Sequence, residues 1–464
     1  MSAMLPSGPS VAGPTGAGAA GAGAAPPGPR LPRAVQTAGF MLAGARFLEA
    51  CRRRYGPVVT FGTLFDARFV MVFEPELVKE VFRGSGEQLH AGEANALLGP
   101  ILGERSVLLL DGAEHLRQRR LMLPPFHGAR MLVHEQAMRD ATDVEIDSWP
   151  VGEPFALLGS MQSLTLRVIL RAVFGFQPGD EEAELRRRLR AMVEPLARPR
   201  GLLMIAAAVR GRRNRRAVIQ FEARKRAVDE ILYDEIARRR TVPDLAERDD
   251  VFSALLLARD EHGEPLSDRE VRDELVTLLL AGHETTATGL AWTFDLLLHT
   301  PRVLARARQA EPEYLDAVVK ESLRIRPVIP GIGRVVRGEP FSLGGYEIPI
   351  GIEINPSIRT IHRRADIYPD PDAFRPERFL DAGAPDTYTW VPFGGGTRRC
   401  LGASFALTEM RVVVARVLER AALRAADPHR AKAQFRAITL APKGGARVIL
   451  ERAPLPCAQR VPVA

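Results

Sequence analysis

Phe393-Gly394-Gly395-Gly396-Thr397-Arg398-Arg399-Cys400-Leu401-Gly402 puts one cysteine at the end of a glycine-rich loop, with an arginine two positions before it. Glycine lets a backbone turn tightly and lets a flat group lie against it with no Cβ in between. A cysteine stays ionised near neutral pH only beside positive charge or hydrogen-bond donors. The stretch reads as a loop that presents a thiolate. The alternative is a glycine-rich turn with an incidental cysteine.

Five fixed positions, Phe393, Gly396, Arg398, Cys400 and Gly402, fit F-x-x-G-x-R-x-C-x-G. That is the cysteine-ligand signature of the cytochrome P450 superfamily, which the chain resembles from about residue 30 to 450. The resemblance implies a mainly α fold with a small β region (α+β), with haem between a long central helix and the cysteine loop. Cys400 would be the axial ligand of haem b iron, with Phe393, Arg398 and Gly402 against the cofactor. A thiolate ligand adds electron density that favours O–O cleavage.

The 464 residues would by length alone fill two or three domains. The absence of any real linker instead argues for one domain over 30–453. Residues 1–29 are almost all Ala, Gly, Pro and Ser with no charge before Arg30, a composition that predicts disorder. Gly16-Ala17-Gly18-Ala19-Ala20-Gly21 in this tail spells G-x-G-x-x-G, but no strand precedes it, so low complexity explains it. A Pro-containing tail follows from 454 to 464. No basic n-region or clean apolar span stands out, which fits the soluble bacterial members of the superfamily and a cytoplasmic location. Cys51, Cys400 and Cys457 are odd in number and far apart, so no disulfide framework is implied. The net charge of +8 sits in arginine runs such as Arg186–Arg188 and Arg212–Arg216. These lack interleaved aromatics, which argues against nucleic acid and for a solvated face.

The longest helical signal runs from Ser267 to about His299, opened by the capping box Ser267/Glu270 and closed by Pro301. Its stretch Leu275–Leu280 is apolar nearly all round and should be buried. Strands are expected at Val58–Phe61, Phe69–Phe73, Gly333–Val336 and Phe341–Ile348, the last a hairpin turning at Gly344-Gly345. Helix is expected from Leu401 to Ala425, then a final hairpin within Ile438–Leu450.

Within the long helix, Ala281-Gly282-His283-Glu284-Thr285-Thr286 combines small residues, an acid and a hydroxyl. The small residues should thin the helix where a ligand lies, and the threonine can bond the carbonyl one turn back. A core helix with locally satisfied polar groups is the other reading of these residues alone. The segment resembles the family's oxygen-activating motif, in which Thr285 would hydrogen-bond dioxygen and Glu284 would deliver protons. His283-Glu284 also starts the zinc pattern H-E-x-x-H, but the last position is Ala287, which cannot ligate.

Glu321 and Arg324 resemble the family's E-x-x-R, and Pro376-Glu377-Arg378-Phe379 its P-E-R-F element. The resemblance joins Glu321, Arg324 and Arg378 in a buried network behind the cysteine loop. It also assigns the haem propionates to His115, Arg119, Arg334 and Arg398. The substrate pocket is expected from Leu97, Leu98, Ile101, Leu102, Ala281, Val328, Ile329, Ile332, Ile438, Thr439 and Leu440, an apolar lining suited to a terpenoid, steroid or fatty acid. Arg198, Arg200 or Arg210 could anchor a carboxylate, beside a substrate lid at Leu202–Val209.

The family reading is a monooxygenase that takes one atom from O2 as co-substrate. Electrons would come from a separate ferredoxin or flavodoxin with its reductase, landing near Arg117, Arg120, Arg130 and Arg399 on a monomer. A peroxygenase, isomerase or dehydratase of the same family and a non-catalytic haem sensor are the alternatives. Retention of Glu284-Thr285 speaks for the dioxygen chemistry.

Overall fold

The computed structural model describes residues 25–64, 68–126, 130–176, 179–193, 215–380 and 385–452. Its axis is the helix Asp268–Leu298, capped as expected: Ser267 Oγ accepts from the Glu270 N–H, and Glu270 Oε2 accepts from the Ser267 N–H at 2.8 Å. Asp268 and Glu270 in the first turn add negative charge where the helix dipole is positive. Leu275, Val276 and Leu279 are buried, and so is almost every residue from Thr286 to Leu297.

Three helices, Leu157–Phe174, Pro312–Ile325 and Ala403–Arg420, pack on this axis and share one large apolar core with it. Contact is close enough to require glycine. A Cβ on Gly282 would lie 2.8 Å from Ile169 Cδ1, and one on Gly289 would lie 3.1 Å from Met410 Cε. Gly282 therefore seats Ile169 of the neighbouring helix; the thinning expected to admit a ligand admits a core side chain at this position. Leu157–Phe174 is long and apolar enough to cross a membrane by composition, which the sequence reading had not singled out. Two thirds of it is buried inside the protein.

The β region is small. Val58–Phe61, Phe69–Val72, Glu353–Pro356, Arg334–Val336 and Leu89–His90 form a five-stranded sheet in that order, with Phe69–Val72 and Glu353–Pro356 parallel. Phe341–Leu343 and Tyr346–Ile348 make the expected hairpin, and Gly344 and Gly345 both have positive φ (58° and 83°), as a type I′ turn needs.

Two expectations near the C-terminus need correction. The helix after the cysteine ends at Arg420, because Leu423–Ala425 is drawn into a sheet with Arg447–Leu450 and Pro154–Ala156. The final hairpin pairs Thr439–Pro442 with Ala433–Arg436 instead of with the last strand. At the other end, residues 26–28 lie against the first strand. Thr60 donates from its N–H to the Pro27 carbonyl and from its hydroxyl to the Pro26 carbonyl, both at 2.8 Å. The remainder of the low-complexity tail, residues 1–24, lies outside the described residues, as do Cys457 and the 454–464 tail.

Glu274, in the buried first half of the long helix, accepts from the Val107 N–H (2.6 Å) and from Gln118 Nε2 (3.1 Å) through Oε1, while its buried Oε2 has no partner. Burial raises its pKa to about 8, so the carboxyl is largely neutral at pH 7. A raised carboxyl pKa stabilises the fold at low pH and loses that contribution as pH climbs from the unfolded value through 8. In Glu274→Gln this loss, with a slope approaching ~1.4 kcal/mol per pH unit, should vanish. Thermal melts from pH 6 to 9 are expected to converge on a flatter profile for the variant; parallel profiles would show that Glu274 is not the group titrating.

Candidate active site

The cysteine loop is folded by its own backbone and by what stands behind it. Cys400 N–H donates to the Phe393 carbonyl at 2.9 Å, closing the loop, and Gly394 and Gly396 take positive φ. A Cβ on Gly396 would sit 1.8 Å from the Phe82 carbonyl oxygen, so the loop can press onto the helix Pro75–Arg83 only with glycine there. Cys400 is solvent-accessible as a residue, yet burial is the main influence on its thiol and raises the pKa. A thiol on the wall of a deep cavity satisfies both observations. The Gly402 N–H and the charges of Arg119 and Arg399 pull the other way. The arginine two positions before the cysteine is not among these. Arg398 instead reaches Asp111 (2.5 Å) and the carbonyls of Val107 and Leu110.

Behind the loop stands a buried ion network. Arg324 grips Glu321 with two bonds, Nε to Oε2 at 2.6 Å and Nη2 to Oε1 at 2.8 Å, and both residues are fully buried. Arg378 Nε adds a bond to Glu321 Oε1 at 3.3 Å, and the Arg375 N–H donates to the same oxygen at 3.0 Å. Arg324 also donates to the carbonyl of His362 at 2.7 Å. His362 Nε2 then accepts from the Val391 N–H at 2.9 Å, two residues before Phe393. Burial, aided by Arg324, holds the His362 pKa down to about 3, so the ring is neutral and free to accept there. Trp390 completes the support: it donates to the Lys320 carbonyl and stacks edge-on against Phe379 and Phe393. His362 and Trp390 escaped the sequence reading, since neither belongs to a spaced motif.

Basic residues gather on the opposite side of the loop. His115, Arg334 and Arg398 line one cavity of about 230 Å³, and Arg119 lies within electrostatic reach of His115, Arg398 and Cys400. Arg334 is 4% exposed, and its Nη1 donates to the carbonyl of its own neighbour, Gly333, at 2.8 Å. Burial and then Arg398 lower its pKa to about 10; burial and then Arg398, Arg119 and Arg334 lower that of His115 to about 3. Among the described residues neither Arg119 nor Arg334 has a carboxylate at ion-pair distance. Buried cations held together without counter-ions are costly, so the cluster is built for an anion. Haem, with two carboxylates on a flat ring, fits this donor set and the glycine-floored loop beside it. Asp111, which anchors Arg398 and accepts from the N–H groups of Gly92 and Glu93, was not foreseen.

The long helix carries the other wall. Ala281 is exposed in the middle of an otherwise buried helix and Thr285, one turn on, is half-buried, so this face borders interior space. Thr285 Oγ1 donates to the Ala281 carbonyl at 2.5 Å, the back-bond its position suggested. Glu284 points elsewhere: Oε1 accepts from Arg436 Nε at 2.7 Å and Oε2 from Gln162 Nε2 at 2.6 Å. Burial lowers the pKa of neighbouring His283 to about 4, leaving it neutral.

The expected pocket residues divide. Val328 and Leu440 are brought together by the Leu440 N–H, which donates to the Val328 carbonyl at 2.8 Å. Leu97, Leu98 and Ile329 are half-buried. Ile332 packs toward Gly394 of the cysteine loop. Ile101 and Leu102 are buried in the main core at 3% and 1% exposure, so as it stands their side chains fill protein and do not line open space. Thr439 is buried and Ile438 exposed at the hairpin tip. Arg198, Arg200, Arg210 and the 202–209 run lie outside the described residues. Of the proposed landing cations, Arg117 pairs with Asp260 (2.6 Å) and Glu270 (3.0 Å), and Arg120 makes an exposed surface pair with Glu261 (3.2 Å). Arg130 opens the helix Arg130–Asp147, its side chain outside the description. Arg399 is exposed.

A cysteine-bearing loop, an arginine cluster beside it and a hydroxyl-bearing face on the long helix are the parts a site of the haem-thiolate class requires. The family model described as Cytochrome P450 matches residues 26–446, and the chain belongs to that family, whose members are generally haem monooxygenases that use dioxygen. Two relatives from Mycobacterium tuberculosis carry the provisional names cytochrome P450 135B1 and cytochrome P450 137. The first is 41% identical over 434 residues, covering 91% of this chain and 90% of the relative. The second is 39% identical over 433 residues, with the same coverage. Retinoic acid-bound cyanobacterial CYP120A1 has a similar fold, with a TM-score of 0.76 at 23% identity over 93% of this chain and 99% of that one.

Removing the partner of a buried charge is costly, so Arg324→Leu should lose about 3–5 kcal/mol. His362→Phe strands only the Val391 N–H, worth about 1–3 kcal/mol. Urea unfolding together with the haem-to-protein ratio after purification checks both. A His362→Phe protein with normal stability and full haem content would sever the proposed link from network to loop.

Proposed function

We propose that the chain is a haem-thiolate monooxygenase that inserts one oxygen atom of O2 into a C–H or C=C bond of an apolar terpenoid, steroid or fatty acid. The observation that carries this is the presence in one fold of the Cys400 loop, an arginine cluster in which only Arg398 has a carboxylate partner among the described residues, and the Ala281–Thr285 face. Each is suited to one part of such a site.

In this reading Cys400 would hold the iron of haem b as a thiolate, a form that the Gly402 N–H and the charges of Arg119 and Arg399 favour against the burial that opposes it. Arg334, Arg119, Arg398 and neutral His115 hold the two propionates. Haem bound through a thiolate supplies the electron-rich centre at which the O–O bond is split.

Hydroxylation consumes two electrons and two protons, RH + O2 + 2e⁻ + 2H⁺ giving ROH + H2O. Thr285 Oγ1 spends its own hydrogen on Ala281, which leaves its oxygen lone pairs free to accept from a proton-carrying partner. Glu284 is the nearest carboxylate on the same helix and serves as proton donor. Glu321, Arg324 and Arg378 act only by holding the loop. Phe393 packs beside the cysteine, and the apolar residues around Val328 and Leu440 favour an apolar substrate over a charged one.

Electrons come from a separate ferredoxin or flavodoxin with its reductase. Exposed Arg399, next to the ligand, is the cation suited to an acidic carrier. Cys51 and Cys400 are both free thiols, in keeping with a reducing cytoplasm.

Titration of haem-loaded protein with terpenes, steroids and fatty acids is expected to move the Soret band from low to high spin with one class. With that compound, Thr285→Ala should lower product formed per electron at least about tenfold, with peroxide rising. Unchanged coupling would remove Thr285 from proton transfer, and absence of dioxygen consumption under any electron donor would favour a sensor.

A further inference from the structure

Three polar residues in the first half of the long helix hold one stretch of chain, residues 103–111. Asp273 Oδ2 accepts from the Arg105 N–H at 2.9 Å, Glu274 Oε1 accepts from the Val107 N–H at 2.6 Å, and Thr277 Oγ1 hydrogen-bonds Ser106 Oγ at 2.7 Å. The fit is close: Gly103 has a φ of 95°, and a Cβ there would fall 2.1 Å from Asp273 Oδ1.

The other end of the same stretch is where Arg398 is held. Its guanidinium donates to the carbonyls of Val107 (3.2 Å) and Leu110 and to Asp111 (2.5 Å). Val107 thus meets Glu274 with its N–H and Arg398 with its carbonyl. Glu274 Oε1 takes a second bond from Gln118 Nε2 at 3.1 Å. Gln118 stands on the helix Gly112–Met122 between His115 and Arg119. One carboxyl oxygen therefore ties the loop that anchors Arg398 to the helix that carries His115 and Arg119. Glu274 is wholly buried and its Oε2 has no partner. A buried acid with an orphan oxygen is costly to the fold, which points to a task for the oxygen that is bonded.

We propose that Glu274 is a positioning residue for the anion site: by joining Val107 to Gln118 it sets Arg398, His115 and Arg119 in the arrangement that receives the haem propionates, and so holds the cofactor in place. The inference rests on the haem reading above.

Proton binding follows from the same geometry. The charged groups around Glu274 are Glu270 and Asp273 on its own helix, Arg272 beside them, Arg117 on the helix Gly112–Met122, Arg398 across Val107, and the pair Arg105–Glu114. The cations are bonded elsewhere: Arg117 to Asp260 and Glu270, Arg272 to Asp229 and Asp273, and Arg398 to Asp111. Burial, helped by Asp273 and Glu270 and opposed by the bonds from Gln118 and Val107, raises the Glu274 pKa from its ordinary 4.5 to about 8. Opening residues 103–111 to water would return it to the ordinary value and release a proton. Opening then becomes easier by up to about tenfold per pH unit between those two values and levels off above 8.

Transfer of haem from the full-length, haem-loaded chain to excess apomyoglobin tests this without turnover. Glu274→Leu removes both bonds and should speed haem loss at least about tenfold at pH 7. Glu274→Gln keeps an acceptor for Val107 and Gln118 and cannot ionise. It should match wild type within about twofold at pH 6 and lack the acceleration that wild type shows from pH 6 to 8. Leu296→Ala, a core change farther along the same helix, controls for lost stability and should lower the urea midpoint without comparable haem loss.

Equal haem loss in wild type and Glu274→Leu would overturn the proposal, as would haem loss from Leu296→Ala as fast as from Glu274→Leu. Should Glu274→Leu fail to fold, the comparison with Glu274→Gln decides: parallel pH profiles for that variant and wild type would overturn it equally. A wild-type chain that takes up no haem would instead overturn the haem reading itself, a result distinguishable from these.

Discussion

The doubly bonded pair of Glu321 and Arg324, wholly out of water, is the constraint on which the rest of this structure leans. A lone buried carboxylate would be prohibitive, and a buried pair is tolerable only when every lone pair and N–H finds a partner. Here Arg378, the Arg375 N–H and the carbonyls of His362 and Ala373 supply those partners. Satisfying the charges therefore draws three separate stretches of chain, 321–324, His362 and 373–378, to one point. One of them, through His362, fixes Val391 and hence the start of the cysteine loop.

The same logic runs with opposite sign on the cofactor side. There the arginines are deliberately left short of anions. Arg398 alone has a carboxylate, Asp111, while Arg334 and Arg119 are gathered at the cost of mutual repulsion and lost hydration. On the proposed reading, a ring with two propionates would relieve that cost, and anion binding and thiolate presentation would be separate devices built around one loop.

What could be read from sequence was whatever depends on short spacing. The capping box of the long helix, the turn glycines 344 and 345, the three-residue step from Glu321 to Arg324 and the back-bond of Thr285 are all local, and local geometry follows from residue order. The missed features are pairings across the chain. Arg436 meets Glu284 over 152 residues and Arg398 meets Asp111 over 287, with no pattern in either neighbourhood to announce the partner. The C-terminal strands failed for the same reason: Leu423–Ala425 reads as the tail of a helix until Arg447–Leu450 offers it a ladder. Ile101 and Leu102, expected at the pocket, are buried in the main core, and apolarity alone does not say whether a side chain faces a core or a cavity.

The claim at the centre is that Cys400 is a thiolate ligand to haem iron. The most direct test is the absorption spectrum of the reduced, carbon monoxide-bound protein, for wild type and for Cys400→His. The account predicts the far-red-shifted Soret band of thiolate ligation in wild type and its replacement by the shorter-wavelength band of imidazole ligation in the variant. A wild-type spectrum already of the imidazole type, or a variant that keeps the thiolate band, would contradict it.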